Sequence, residues 1–282
     1  MLRSLLFVPG DRPERFARAA ASGADAIILD LEDSVALAAK RDAREAVAGW
    51  LGERRSCRVL VRINALDGGL AEDDLAAVVS GRPDAIMLPK AEGAASVDGL
   101  WAMMGDMAVP VLPIAAETPA GVFALATYRD CADRLAGLTW GAEDLSASIG
   151  TIGPREVDGS LAAPFETARS MVLFAAHAAG VEAIETVFPD IADATGLATR
   201  AERARRHGFT GMMAIHPGQV GPINQAFTPG EEELARAREI VALFAADPGV
   251  GVVQLRGKMV DLPHLRQAQA LLARSGDVAA QE

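Results

Sequence analysis

The chain has 282 residues, half of them hydrophobic, and a formal net charge of −11. This acidic balance argues against nucleic acid and anionic membranes as partners, because both need a basic surface, although a local cluster of Arg and Lys can still bind an anionic small molecule. No apolar run approaches the ~20 residues that span a bilayer, the apolar N-terminus is too short for a secretory signal, and the two cysteines lack any metal or disulfide motif, which together favour a cytoplasmic protein.

Runs of strand character alternate with amphipathic helical patterns along most of the chain. The predicted strands are Ser4–Val8, Ala26–Asp30, Val59–Ile63, Ala85–Leu88, Val111–Ala116, Leu138–Trp140, Ala183–Val187 and Met212–Ile215. The predicted helices are Pro13–Ser22, Lys40–Leu51, Glu72–Val79, Ala95–Met104, Gly121–Ala126, Pro164–Ala179, Asp190–His207 and one after Pro217. Eight βα units in about 230 residues predict an α/β fold of the TIM (β/α)8 barrel type. A doubly wound sheet is the alternative, but the Gly-rich turn of dinucleotide binders is absent after the first strand.

The pattern changes near residue 230. A charged helix over Glu231–Ala246, a short extended piece over Val250–Gln254 and a helix over Leu262–Ser275 are surplus to eight βα units. We therefore expect a barrel catalytic domain over residues 1–230 and a C-terminal helical extension over 231–282. Such an extension can pack on a neighbouring subunit, close over the site as a lid, or cover the underside of the barrel.

Two predicted strands end at a carboxylate followed by small or turn-forming residues: Glu117 follows Ala116, and Asp144 lies shortly after Trp140. Because the carboxyl ends of the barrel strands open into one mouth, these acids are expected to share a site. Two close carboxylates repel, so one becomes protonated unless a cation lies between them, and oxygen ligands alone favour Mg²⁺. The structural alternative is that Glu117 caps the next helix and Asp144 forms a salt bridge.

Other polar residues follow further strands and would face the same mouth: Glu32, Asp33, Arg62, Asn64, Lys90 and His216. A fixed Arg62 among acids suits an anionic substrate held on a metal, since a guanidinium can bind a carboxylate through two parallel hydrogen bonds. Alternatively, Arg62 neutralises the acids as an internal ion pair. Lys90 also suggests a Schiff base, but nearby acids would raise its pKa, which favours an ion-pairing lysine. His216 has no partner at zinc spacing, which favours a structural role.

An ordered set of motifs from residue 4 to about 229 resembles the citrate lyase beta-subunit-like family of the HpcH/HpaI aldolase superfamily, and in particular its citramalyl-CoA and malyl-CoA lyase branch. The motifs are Ser4-Leu5-Leu6-Phe7-Val8-Pro9-Gly10-Asp11-Arg12, Asp30-Leu31-Glu32-Asp33-Ser34-Val35 with Lys40 and Ala43-Arg44, Val61-Arg62-Ile63-Asn64, Leu88-Pro89-Lys90, Glu117-Thr118, Gly141-Ala142-Glu143-Asp144-Leu145 and Ile215-His216-Pro217.

The resemblance implies that Glu117 and Asp144 ligate Mg²⁺, that Arg62 acts in catalysis and holds a substrate oxygen, and that Glu117 and Arg12 contribute to the substrate site, with Arg12 near the CoA or substrate entrance. In the same branch, a C-terminal Gly-x-Met-x-Asp-x-Pro segment forms a lid over a neighbouring subunit's site, and Gly257-Lys258-Met259-Val260-Asp261-Leu262-Pro263 matches it. Asp261 is thereby implied as the general acid/base. One departure is Met212, where the family usually has Lys, which puts a substrate or CoA contact in doubt.

The implied activity is Mg²⁺-dependent cleavage of a 3-hydroxyacyl-CoA thioester, such as citramalyl-CoA or malyl-CoA, to acetyl-CoA and a 2-oxo acid, in a retro-Claisen or aldol type of reaction. Three alternatives stay open: a citrate lyase beta subunit that acts on a carrier-protein-bound citryl thioester, an aldolase of free 2-oxo acids, and a non-catalytic acyl-CoA-binding relative. A lid that acts on a neighbouring subunit requires an oligomer, and the resemblance implies a homo-oligomer, a trimer or a hexamer.

Overall fold

The computed structural model describes residues 2–53, 56–247 and 249–275. They fall into two compact units, one over residues 2–225 and one that begins at residue 226. The last seven residues of the predicted C-terminal extension, as well as Pro248, lie outside the described residues.

A seven-stranded parallel sheet forms the centre of the first unit. Its strands are β1 Ser4–Pro9, β2 Ala26–Asp30, β3 Arg58–Arg62, β4 Ala85–Leu88, β5 Val111–Pro113, β6 Ile184–Glu185 and β7 Gly211–Ala214. The spatial order is β5-β4-β3-β2-β1-β7-β6, and every neighbouring pair is parallel. All carboxyl ends therefore lie at the same edge of the sheet, as the alternation of strand and helix patterns predicts.

The prediction of a complete (β/α)8 barrel holds only in part, because Leu138–Trp140 is not a strand of this sheet. The segment makes single parallel bridges, Ile114 with Thr139 towards β5 and Leu138 with Ala183 towards β6. Because Leu138–Trp140 pairs through a single residue with the end of β5 and through a single residue with the segment before β6, no continuous ladder forms, and the sheet stays open between β5 and β6. Gly137, just before this segment, allows the backbone to approach that of Glu182 closely, since a Cβ at position 137 would lie 2.9 Å from the carbonyl oxygen of Glu182.

The helices surround this sheet in chain order. They are α1 Phe16–Ala20, α2 Lys40–Leu51, α3 Ala71–Val78, α4 Ala94–Met104, α5 Pro119–Ala124, α6 Ala142–Ile149, α7 Ala163–Ala179, α8 Ala194–His207 and α9 Pro217–Phe227. The helix α6 was not predicted, and α8 begins later than expected because Asp193 caps it by accepting a hydrogen bond from the backbone N–H of Gly196 at 2.8 Å. None of the helices among the described residues has the length and apolarity that a membrane crossing requires.

Alternate residues of the strands point to the inside of the sheet and form its hydrophobic core. This core contains Leu2, Leu5, Ala26, Ile28, Leu60, Ala85, Met87, Leu112, Ile114, Ile184 and Met213. The packed interior fixes the strand ends relative to one another, and these ends carry the polar residues described below.

The second unit contains α10 Glu231–Ala246, a hairpin of β8 Val252–Leu255 and β9 Lys258–Asp261, and α11 Leu262–Ser275. The two loop residues of the hairpin both have positive φ, +49° at Arg256 and +77° at Gly257, as a type I′ turn requires. The glycine of the lid-like motif thus makes the turn, and the strand that carries Asp261 follows from it. This second strand of the hairpin was not predicted.

Candidate active site

Arg62, at the end of β3, lies in the middle of a set of buried charges. Its Nε and Nη2 atoms donate to the two carboxylate oxygens of Asp30, both at 2.7 Å, and its guanidinium carbon lies 4.9 Å from the ring centre of Phe7. Its Nη1 lies 2.9 Å from an oxygen of Glu32. Burial alone would raise the pKa of Asp30, but the hydrogen bonds from Arg62 hold it below its ordinary value. Asp30 therefore fixes the guanidinium in one orientation.

Lys90, directly after β4, links three of the acids. Its amino group lies 2.7 Å from Glu32 and 3.3 Å from Asp144, and its backbone N–H donates to Glu117 at 2.6 Å. Desolvation works against its charge, but the hydrogen bond and charge of Glu32 together raise the pKa of Lys90 well above its ordinary value. Lys90 is thus a charged ion-pairing residue in this structure, as its acidic surroundings predict.

Glu117 and Asp144 line the same cavity from the two sides of the open part of the sheet. Glu117 is 3% exposed, and burial, together with the nearby charge of Asp144, raises its pKa to about 8. Thr118 caps α5 by accepting a hydrogen bond from the N–H of Gly121, so the alternative in which Glu117 caps that helix is wrong. Asp144 does contact Lys90, as the second part of that alternative expects.

The charges at this site fit a divalent cation. If all four carboxylates of Asp30, Glu32, Glu117 and Asp144 are charged, they exceed the two cations that contact them, Arg62 and Lys90, by two negative charges. Without a further cation, the raised pKa of Glu117 lets this residue hold a proton at neutral pH, and a divalent ion would replace that proton and balance the charges. In the part of the chain that the structure describes, no group of three or more His, Cys, Asp or Glu side chains forms a ready metal cage. Two carboxylates with water and substrate oxygens are the usual ligand set for Mg²⁺, which keeps several waters when bound to protein.

A cavity of about 310 Å³ opens beside Arg62, Glu117 and Asp144. Much of its lining is apolar and comes from Phe7, Ile114, Trp140, Val187, Met213 and Ile215. One side can therefore hold charged oxygens while the other accommodates a hydrocarbon group. The close approach of Gly141 to Glu117 shapes this site, because a Cβ at position 141 would lie 2.7 Å from the Glu117 carboxylate.

The other predicted residues lie around this cavity or outside it. Asp33 is exposed and lies 3.9 Å from Arg62, and His216 is exposed with its Nδ1 accepting from the N–H of Gly218 at 3.1 Å. Arg12 is exposed in the turn after β1 and is absent from the described residues that line the cavity. Asp261 belongs to the second unit and ends β9. The roles predicted for Arg12 and Asp261 stay predictions.

Met212 does not leave a gap in the cavity. It is fully buried, whereas the next residue, Met213, lines the cavity. Successive strand residues point to opposite faces, so position 212 faces away from the site. The missing Lys therefore removes no charge from the cavity itself.

A buried lysine supports the loop that carries Glu32. Lys40, 8% exposed, donates hydrogen bonds to the carbonyls of Leu31 and Glu32, both at 2.6 Å, and to the side chain of Asn64 at 2.8 Å. Asn64 in turn donates through its backbone and side-chain nitrogens to the fully buried Asp74. The motif residues Lys40 and Asn64 are thus structural supports of the site, a role that the sequence did not reveal.

We expect Lys40→Met to lower the free energy of unfolding by about 2–4 kcal/mol, because three buried acceptors lose their donor. Urea denaturation would measure this loss, with Arg41→Met at an exposed neighbouring position as the control, expected to change stability by less than about 0.5 kcal/mol. Equal effects of the two substitutions would show that Lys40 does not support the loop.

Comparisons with known proteins agree with this geometry. A family described as HpcH/HpaI aldolase/citrate lyase matches residues 3–217, and one described as C-C bond lyase of the TIM-barrel fold matches residues 159–277. The chain is 39% identical to CitE of Mycobacterium tuberculosis, whose crystal structure contains magnesium, acetoacetate and coenzyme A; the match covers 97% of this chain and 98% of that one, with a TM-score of 0.83.

Two curated relatives complete the comparison. The citrate lyase subunit beta of Escherichia coli is 35% identical, over 97% of this chain and 93% of its own length. The mitochondrial citramalyl-CoA lyase of Mus musculus is 32% identical, over 96% of this chain and 85% of its own length. The names of these two lyases indicate different substrates, and both proteins match nearly the whole of this chain.

Proposed function

Because this chain belongs to the HpcH/HpaI aldolase/citrate lyase family, we propose that it cleaves a 3-hydroxyacyl-CoA thioester such as citramalyl-CoA or malyl-CoA to acetyl-CoA and a 2-oxo acid. Membership makes it a carbon–carbon lyase of CoA esters with Mg²⁺ as its cofactor. The observation that carries the proposal is the meeting of Glu117 and Asp144 with Arg62 at one cavity that also has an apolar side. A cytoplasmic location stays a prediction.

Glu117 and Asp144 would hold the Mg²⁺, with the cavity between them open to the substrate. When bound, the ion supplies Lewis-acid stabilisation of negative charge on a substrate oxygen. Asp30 holds the Nε and Nη2 atoms of Arg62, and the third nitrogen of the guanidinium, Nη1, lies beside Glu32. Arg62 also lines the cavity. From there the guanidinium can donate to the carboxylate or carbonyl oxygen of the substrate.

The apolar side of the cavity would accept the hydrocarbon part of the acyl group. Cleavage requires removal of the hydroxyl proton and protonation of the acetyl-CoA enolate that departs. Asp261 is our candidate for this proton transfer, supplied by the lid of a neighbouring subunit. The same groups in the reverse direction would join acetyl-CoA to a 2-oxo acid.

A mass-spectrometric assay with purified protein tests the proposal. Citramalyl-CoA and malyl-CoA are offered in one direction, and acetyl-CoA with pyruvate or glyoxylate in the other, each with Mg²⁺ and with EDTA. We expect EDTA-sensitive interconversion, and the preferred 2-oxo acid identifies the acyl group. Turnover only with a citryl thioester on an acyl-carrier protein, or only with free hydroxy-oxo acids, would overturn the proposal in favour of the corresponding alternative.

Asp261→Asn is expected to lower kcat by about 10²–10⁴-fold, the usual contribution of a general acid/base, while Mg²⁺ still binds. If the lid acts on a neighbouring subunit, refolding a mixture of Asp261→Asn and Glu117→Gln chains should restore part of the activity, because some sites then combine an intact lid with an intact metal site. The two variants refolded separately are the controls. A mixture as inactive as its components would contradict action between subunits.

A further inference from the structure

The carboxylate of Asp261 has a histidine beside it. Asp261 is the last residue of β9, and His264 lies three residues later in the first turn of α11. Oδ1 of Asp261 and Nδ1 of His264 are 2.5 Å apart. Both side chains are partly exposed, 31% for Asp261 and 42% for His264, so the pair can meet a substrate without unfolding of the segment.

The two atoms are within hydrogen-bond distance. If neither carried a proton, the lone pair of the imidazole nitrogen and that of the carboxylate oxygen would face each other and repel. The contact is therefore a hydrogen bond in which Nδ1–H of His264 donates to the carboxylate of Asp261.

A backbone hydrogen bond adds to the geometry of the pair. The N–H of His264 donates towards Oδ1 of Asp261 at 3.5 Å, so Asp261 caps α11 as the residue before the helix. The N–H of Asp261 lies 3.3 Å from Nδ1 of His264, but a ring nitrogen that donates its proton to Oδ1 has no lone pair to accept another. His264 is the third residue of the helix, the position at which a capping box has an acceptor. Among the described residues, no hydrogen bond reaches the other oxygen, Oδ2, which stays available to a substrate.

Capping alone does not account for a histidine at this position. Glu or Gln is the usual residue there, and a group that can become a cation is unfavourable in the first turn of a helix, where the backbone dipole is positive. The gain from histidine is a donor to the carboxylate, which Glu cannot supply.

We propose that His264 is a positioning residue for Asp261: its Nδ1–H donates to Oδ1 and leaves Oδ2 as the atom that exchanges a proton with the substrate. The inference rests on the function proposed above, in which Asp261 is the general acid/base. When Oδ2 takes a proton from the substrate, Oδ1 keeps its bond to His264, and the carboxyl group stays in the orientation from which it returns that proton.

Two substitutions separate this role from capping. His264→Glu supplies the acceptor of a capping box but has no donor for the carboxylate, whereas His264→Asn retains an N–H donor close to the place of Nδ1. We expect kcat for CoA-ester cleavage to fall by about 10–100-fold in His264→Glu, with a smaller change in KM, and to recover in part in His264→Asn. Equal kcat values for wild type and His264→Glu would overturn the proposal.

A second measurement does not depend on turnover. The side-chain hydrogen bond from His264 lowers the pKa of Asp261 in the wild type, so ¹³C NMR of the Asp261 carboxyl carbon should give a higher pKa in His264→Glu and a value near that of the wild type in His264→Asn. An unchanged pKa in His264→Glu overturns the pairing. If the pKa shifts as expected but no CoA ester is cleaved by the wild type, the pairing is supported and the proposed function fails.

Discussion

Glu117→Gln should lower kcat/KM by at least ~10³-fold and abolish measurable Mg²⁺ binding. The amide retains the shape of the side chain and an acceptor for the backbone N–H of Lys90, but it removes one of the two negative charges that would hold the ion. Lewis-acid stabilisation by a bound metal contributes several kcal/mol, and about 4 kcal/mol corresponds to a factor of ~10³ in rate. Calorimetric titration with Mg²⁺ and initial-rate kinetics measure the two effects.

Glu92→Gln is the matched control, because Glu92 is an exposed carboxylate near the same edge of the sheet that accepts a hydrogen bond from Thr118 at 2.8 Å. It should change neither Mg²⁺ affinity nor rate more than about twofold. A Glu117→Gln protein that binds Mg²⁺ as tightly as the wild type would show that the ion is held elsewhere.

Glu117 also gives the metal-free protein a pH dependence with a definite sign. Burial, and then the charge of Asp144, raises its pKa from 4.5 to about 8. Because the folded state retains this proton to a higher pH than the unfolded state, the stabilisation is complete below about pH 4.5 and is lost as the pH rises through about 8. Thermal unfolding in EDTA should show this loss, and Glu117→Gln should reduce it.

Arg62→Met should lower the free energy of unfolding by about 3–5 kcal/mol, the cost of leaving a buried charge without its partner. Asp30 is 1% exposed, and both of its oxygens accept hydrogen bonds from Arg62. The same substitution should remove activity, since the substrate loses its cationic donor. Denaturant unfolding with EDTA present isolates the effect on folding from the effect on the metal.

The control for this prediction is Arg134→Met. Arg134 pairs with Asp98 at 2.6 Å, but both side chains are partly exposed, so the loss is expected to be below about 1 kcal/mol. A double variant, Arg62→Met with Asp30→Asn, should recover part of the lost stability, because no uncompensated carboxylate is then left buried. If Arg62→Met lowered the free energy of unfolding as little as Arg134→Met does, water would have to solvate Asp30 in the Arg62→Met variant.

The meeting of Glu117 and Asp144 at one cavity followed from the sequence, because parallel topology brings the carboxyl ends of strands to the same edge of a sheet. The strand ends before these acids were not predicted correctly: β5 ends at Pro113 and not at Ala116, and Leu138–Trp140 forms only isolated bridges. The sequence did not decide whether Arg62 binds the substrate or only neutralises the acids as an internal ion pair. In the structure it binds Asp30 and Glu32 and also lines the cavity, so the internal ion pair orients the residue that faces the substrate.

The contacts that sequence reasoning missed join residues far apart in the chain. Lys40 reaches Asn64 across 24 positions, and nothing in either segment indicates that a lysine would be buried there. The interruption of the sixth predicted strand was missed for another reason: Leu138–Trp140 has strand composition, but pairing depends on the length of both neighbours. In contrast, Asp261 stands in the sequence as an N-cap residue directly before a helical pattern, with His264 three positions later, a signal that was available.

The open part of the sheet lies between the two acids of the active site. Glu117 follows β5 and Asp144 follows Leu138–Trp140, and these two segments are joined by an isolated bridge of Ile114 with Thr139 and a few backbone hydrogen bonds instead of a continuous ladder. Local opening there would separate the two side chains, and without a bound cation the repulsion between their carboxylates would favour such opening once the pH rises through about 8 and Glu117 loses its proton. An ion held by both acids would therefore hold the two segments together. Binding of the metal would then also stabilise this part of the fold, and the backbone amides of the two segments should exchange with solvent first when the metal is removed.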